Sequence, residues 1–285
     1  MTHTPPPATP VQPVAQPVAL APPLPPAEGG NRRFASTRTI TALILREMST
    51  RYGRTPGGYL WGIIEPLAAI LVLSIAFSLV MRTPPLGTSF LLFYSTGYLP
   101  FSLYQVLSNT VSRAIFFSRP LLKYPAVTWV DALAARFLLN SLTGLLITAL
   151  LLGGILAVID SRTVLDLPKL VSGLGLAMIV GLGVGVLNCA LIGLFPLWDV
   201  VWSIISRPLF IASGVLFLYD TMPPLARDIL WYNPLIHVIG RMRTGIYPTY
   251  TAPYVNELYV LGVALVCLAL GLILLGRYHR DILNR

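Results

Sequence analysis

The sequence predicts an all-α membrane protein. It should have six transmembrane helices, an N-terminal amphipathic interface helix, and a re-entrant outer helical hairpin between spans five and six. Three observations carry this expectation. The 285-residue chain is 55% hydrophobic and only 11% charged, where soluble domains carry about 25% charged residues. So few charges cannot clothe a water-exposed surface, and most of the chain must face lipid or other apolar helices. The mean hydropathy is +0.74, and six stretches approach the roughly 20 apolar residues that a bilayer core requires. The basic residues also segregate between alternate loops. A net charge of +9 would suggest nucleic acid in a soluble protein. Here it fits basic segments beside anionic lipid, and no nucleic-acid partner is expected.

Residues 1–30 hold ten of the 25 prolines and a single charge, Glu28. Such a tract cannot form a core and favours extended conformations. It lacks the basic start and apolar run of a signal peptide. It is read as a disordered cytoplasmic tail, with a Pro-rich docking ligand as the alternative. Residues 31–58 follow as the interface helix. Ile40, Leu43, Ile44, Met48 and Tyr52 recur at spacings of three and four, while Arg46, Glu47, Thr50 and Arg54 fall largely off that stripe. This pattern suits a helix lying in the membrane plane, as an anchor, as a docking surface for a partner, or as both.

Residues 59–285 form the six-span domain. The spans are expected near Leu60–Met81, Ser89–Asn109, Arg136–Ile159, Leu170–Phe195, Val200–Tyr219 and Leu258–Gly276. Thirteen of the 20 Lys/Arg residues fall on one side. They include Arg113, Arg119 and Lys123 between spans two and three, and Arg277 and Arg280 at the end. The basic side is cytoplasmic by the positive-inside rule, so both termini lie inside the cell. Residues 220–256 are too apolar for a solvated loop, yet Pro223, Pro224, Pro234, Pro248 and Pro253 forbid a seventh span. Two short helices resolve the conflict. Asp220 or Thr221 is positioned to cap the first, and Asn233-Pro234 supplies a cap and first-turn pair for the second. Short helices at membrane depth persist where protein or a cavity surrounds them.

With these residues assembled, a resemblance emerges. Arg51-Tyr52-Gly53-Arg54, then Gly58-Tyr59-Leu60-Trp61 and Glu65-Pro66-Leu67, resemble the N-terminal signature of type-2 ABC exporter permeases for capsule polysaccharide. O-antigen and teichoic-acid exporters have a similar pattern. Tyr232-Asn233-Pro234-Leu235, followed by His237, Arg241 and Tyr250, resembles the second signature. The resemblance runs from about residue 32 to the end and leaves out the Pro-rich tail. It implies a pair of identical permeases served by two cytoplasmic ATPase subunits, with a periplasmic polysaccharide co-polymerase as a further partner. It also implies that residues 111–130, with Arg113, Arg119, Lys123 and Tyr124, carry a coupling helix. The outer hairpin, with Trp231, Tyr232, Asn233, Pro234, His237 and Arg241, becomes a periplasmic gate. The implied cargo is a lipid-linked acidic capsular polysaccharide. O-antigen or teichoic acid is the alternative within the family.

The sequence assigns ATP and magnesium to the separate ATPase chain. A phosphate loop needs a lysine after its second glycine to hold the phosphates. Gly53 and Gly58 have the spacing, but Tyr59 stands in the lysine's place. No cofactor, metal site or catalytic residue is expected. His3, His237 and His279 are scattered, and Cys189 and Cys267 lie in apolar runs.

Several residues are candidates for the channel. Arg207 precedes Pro208 in the fifth span, at a depth of roughly 12 Å at 1.5 Å per residue. An arginine so placed faces a cavity or a partner, so it can meet a phosphate or sugar carboxylate. Snorkelling, or an ion pair with Glu65 or Asp199, is the other reading. Glu65 either favours a helix start beside Pro66 or pairs with a cation at the channel mouth, beside Tyr59 and Trp61. Phe90, Tyr94, Tyr98 and Phe101 recur at steps of four, four and three. This one stripe is either helix packing or a lining for the C–H faces of sugar rings. Gly181 and Gly185 make a small-xxx-small face for close helix packing. An ion-coupled secondary transporter, the reading from another class, would show internal repeats and more buried ionisable groups. A membrane-embedded enzyme would cluster His, Asp or Glu at the interface.

Overall fold

The computed structural model describes residues 35–52, 58–122, 127–159 and 165–284. The tail expected at 1–30, the coupling residues Lys123 and Tyr124, and the side chain of Tyr59 lie outside the described residues. Among those described, the regular elements are all helical. They are α1 (Ala35–Tyr52), α2 (Gly58–Val80), α3 (Phe90–Ser112), α4 (Ala114–Ser118), α5 (Trp129–Val158), α6 (Leu167–Leu194), α7 (Leu197–Ala212), α8 (Pro224–Leu230), α9 (Pro234–Ile246) and α10 (Glu257–Asn284).

Among the described residues, four helices are long and apolar enough to cross a membrane: α2 from Leu60, α5, α6 and α10. The other two expected spans differ for physical reasons. Tyr, Ser, Thr, Gln and Asn side chains interrupt the apolar character of α3. The fifth stretch yields only the 16 residues of α7, which carries Asp199 and Arg207. That stretch was expected to run to Tyr219. It stops where Gly214 takes a φ of +79°, a left-handed turn that other residues adopt only with strain.

Local capping shifts another boundary. The third stretch was expected from Arg136, but α5 begins two turns earlier. The Thr128 side chain accepts from the Asp131 amide, and the Asp131 carboxylate accepts from the Thr128 amide. This reciprocal capping box satisfies two orphan amide groups of the first turn. Arg136 therefore lies inside the helix rather than at its edge.

Helix α6 is the centre of the molecule. Half of its most apolar window is buried within the protein, against 11% for α2. Its glycines explain the closeness of its neighbours. A Cβ on Gly181 would lie 2.9 Å from the Leu107 Cβ, and one on Gly185 would lie 2.8 Å from the Val111 Cβ, both on α3. On α10, a Cβ at Gly271 would lie 2.6 Å from the backbone nitrogen of Leu187 in α6. The small-residue face is thus used for packing inside one subunit.

Helix α1 departs from its expected amphipathic pattern. Leu43 is buried, but Met48 is exposed and Glu47 is buried at 3% exposure. The reason is Arg136, whose Nε donates to Glu47 at 3.3 Å. The face of α1 turned to the protein is therefore ionic as well as apolar. The hydroxyl of Ser36, near its start, also donates to Asp131.

Residues 219–221 form one 3-10 turn, and α8 and α9 follow as two short helices. Asn233 caps α9 by accepting from the Leu235 amide at 3.1 Å, with Pro234 in the first turn. The first helix differs from expectation. It starts at Pro224 without a side-chain cap: the Asp220 carboxylate accepts from the Tyr250 hydroxyl, and the Thr221 hydroxyl donates to the Leu218 carbonyl.

Candidate substrate groove

A groove of about 910 Å³ opens between α1, α3, α4, α5 and α7. Its charged residues are Arg113, Arg136 and Arg207 with the carboxylates Glu47 and Asp199, an excess of one positive charge, and its aromatic wall includes Tyr98, Phe101, Trp202 and Phe210. Gln105, Asn109, Ser203 and Ser206 add neutral hydrogen-bonding groups. The site therefore combines positive charge, flat apolar faces and amide or hydroxyl groups. That chemistry suits an anionic, hydroxyl-rich ligand.

Arg207 lies on the exposed side of α7, one and a half turns before its end. Among the described residues it makes no ion pair with Glu65 or Asp199. Asp199 is taken by Arg113, whose Nη2 donates to both carboxylate oxygens at 3.2 Å. Arg136 is held more firmly. It pairs with Glu47, donates to the Thr110 carbonyl at 2.8 Å, and stands 4.1 Å over the Phe117 ring. A cation over an aromatic face gains further stabilisation.

The expected aromatic stripe divides. Tyr98 and Phe101 line the groove and pack edge-on against Phe210, at 6.3 and 5.1 Å between ring centres. Tyr94 does not reach it. Tyr94 is fully buried, with Phe77 at 5.1 Å and Phe93 at 5.2 Å. Phe90 packs against that same core, away from the groove. α3 is covered on more than one side, so part of the stripe turns into the protein. Glu65 is exposed on α2 and lines a separate small cavity of about 130 Å³ with Tyr98 and Asn140. Trp61 is exposed as well.

The expected coupling segment holds the single-turn helix α4. Arg113 stands between α3 and α4, and Arg119 Nε donates to the Leu283 carbonyl at the end of α10. In the hairpin, the Trp231 ring meets Tyr232, His237 and Tyr259. Tyr232 is exposed. The Asn233 amide donates to the Ala212 carbonyl at the end of α7. His237 is fully buried; its Nδ1 accepts from the Asn256 amide at 3.2 Å, so its Nε2 donates to the Trp231 carbonyl at 2.8 Å. Arg241 pairs with Glu257 at 2.6 Å and donates to Ser172. These residues knit the hairpin to α6, α7 and α10.

Sequence reasoning missed Arg243, which matches none of its motifs or stripes. Arg243 is 1% exposed. It donates to the carbonyls of Phe217 and Val215 and stacks 4.3 Å over Phe93. Burying an arginine is tolerable only with such partners. They lie 26 and 28 positions earlier, so no local spacing announces them.

Comparison with known proteins agrees with this architecture. The family described as "ABC-2 type transporter" matches residues 38–247. The polysialic acid transport protein KpsM of Escherichia coli is 31% identical over 236 residues, covering 83% of this chain and 92% of that protein. The capsule polysaccharide export inner-membrane protein CtrC of Neisseria meningitidis serogroup A is 29% identical over 250 residues. Its counterpart BexB of Haemophilus influenzae is 27% identical over 250 residues. Each of these two alignments covers 86% of this chain and 92% of the relative. With most of its length inside the family's match, the chain belongs to the ABC-2 type transporter membrane family.

Proposed function

We propose that this chain is the membrane subunit of an ATP-driven exporter that moves a lipid-linked acidic capsular polysaccharide across the inner membrane. The observation that carries the reading is the groove, where Arg207, two ion-paired arginines and an aromatic wall face one space. Arginines bind phosphate and carboxylate through paired N–H groups. Aromatic faces accept sugar rings without reading one sugar sequence, which a carrier of long repeats needs. The capsule-export names of the relatives support the same cargo.

In this reading α2, α3, α5, α6, α7 and α10 are the six passes, with both termini in the cytoplasm. α1 lies along the cytoplasmic interface, and α8 and α9 form the re-entrant periplasmic gate. Two copies face each other across the channel. Leu197, Val200, Ile204 and Ile211 of α7 are exposed at helical spacing, an apolar stripe suited to a second copy. Two ATPase subunits bind ATP and magnesium and act through α4. A periplasmic co-polymerase continues the path.

Gentle extraction from the native membrane, followed by mass spectrometry of what co-purifies, tests the assignment. An ATPase subunit in about equal amount is expected. Recovery of the chain without one, under conditions that preserve known transporter complexes, would refute it.

A further inference from the structure

Two cavities meet at the same four side chains. The groove and a second cavity of about 710 Å³ are both lined by Arg113, Phe117, Arg136 and Asp199. Beyond that boundary the second cavity is mainly apolar, walled by Phe116, Ile192, Pro196 and Ile282, with Arg119 as its one further charge. The groove is polar and aromatic. Arg113 and Arg136, each paired with a carboxylate, thus divide a space suited to sugar from a space suited to hydrocarbon. An amphiphile with an anionic head at the boundary matches both sides.

Two ion pairs occupy the boundary, and they differ in how readily they open. The Arg136–Glu47 side chains are only 11% and 4% exposed. Opening that pair would strand a buried charge, so it is a fixed part of the wall. The Arg113–Asp199 side chains are 63% and 45% exposed. Such a pair is screened by solvent and salt and contributes little. Its geometry is also incomplete, since one nitrogen of Arg113 serves both carboxylate oxygens. The guanidinium fork is not used as a bidentate clamp, which is the arrangement a phosphate or carboxylate ligand would gain.

We propose that the Arg113–Asp199 pair is a displaceable latch. It opens when the anionic head of an acyl-anchored substrate replaces Asp199 on Arg113 and the acyl chain enters the apolar cavity. The proposal rests on the groove being the substrate site. Its position gives it a consequence. Arg113 stands between α3 and α4, and Asp199 lies in the first turn of α7. Release of the pair frees the α3–α4 corner from α7, so α4 is informed that substrate is seated.

The test uses the full-length chain in an uncharged detergent, with bound lipid counted by native mass spectrometry. The probes are palmitoyl lysophosphatidylglycerol, palmitoyl lysophosphatidylcholine with the same chain and a zwitterionic head, and glycerol 3-phosphate with no chain. The glycerol lipid should bind most tightly. Asp199→Asn should tighten it about two- to fivefold, the value of an exposed ion pair removed from competition. Arg113→Gln should weaken it about tenfold, as expected for a lost charged hydrogen bond, and leave the choline lipid unchanged. Both residues are exposed, and Arg113→Lys supplies a variant that keeps the charge but not the fork. Unchanged affinity in Asp199→Asn and Arg113→Gln overturns the latch. If Arg207→Gln alone weakens binding, the groove reading survives that loss. If none of the three substitutions matters and both lipids bind alike, the groove reading falls with the latch. Glycerol 3-phosphate binding as tightly as the glycerol lipid would refute the acyl-chain cavity.

Discussion

Tyr94 and Tyr98 sit one turn apart on α3, yet they belong to different parts of the protein. Tyr94 is fully buried with Phe77 and Phe93, whereas Tyr98 lines the groove. The two should therefore fail differently. Tyr94→Ala leaves a cavity where an aromatic ring was, a loss of about 3–5 kcal/mol for large core aromatics, and protein levels should fall. Tyr94→Phe should be nearly neutral, because the Tyr94 hydroxyl is buried without a hydrogen-bond partner. Tyr98→Ala should lower export while protein levels hold. Quantitative immunoblots beside export measurements check all three. Normal export in Tyr98→Ala would remove that ring from the substrate path. The periodicity of the sequence announced the stripe but could not divide it, because helical spacing says which residues share a face and not what covers it. The same limit hid Glu47 and Arg243. Glu47 finds its partner Arg136 89 residues away, and Arg243 rests on carbonyls near the end of α7.

At the scale of elements, the apolar runs located the long helices well because a bilayer-length stretch of apolar residues has few other uses. The ends were less legible. α5 begins at a Thr128–Asp131 capping box set upstream of the apolar run, and α7 stops at the left-handed Gly214. Both signals are single residues whose effect depends on local backbone geometry. The hairpin was legible as two helices because proline and asparagine act locally. The proposed placement of α3 and α7 in the membrane rests on their packing against longer helices rather than on their composition. Single cysteines labelled from either side of sealed vesicles test it, in a background with Cys189 and Cys267 replaced. Thr88→Cys, between α2 and α3, should react only from the periplasmic face. Ser206→Cys, in the groove, should be protected from labelling by palmitoyl lysophosphatidylglycerol. Labelling of Thr88→Cys from the cytoplasmic face would reverse the proposed orientation.

For the whole molecule, one organisation recurs. α6 is packed closely by α3 and α10 through glycines, which makes a stiff centre. The elements around the groove are tied more variably, by a buried ion pair at α1 and an exposed one at α7. A rigid core with one weakly tied wall can open a path without dismantling its fold. The sequence disclosed the charge, the family signatures and the long helices; the groove itself required the fold, since its lining comes from five helices. The central claim is that this groove carries capsule polysaccharide outward. The most direct measurement compares polymer at the cell surface with lipid-linked polymer inside, in cells carrying the native chain or Arg207→Gln at equal protein levels. The account predicts that the variant loses most surface polymer and accumulates it in the cytoplasm, still attached to its lipid. Surface polymer at the native level, with none retained inside, would contradict it.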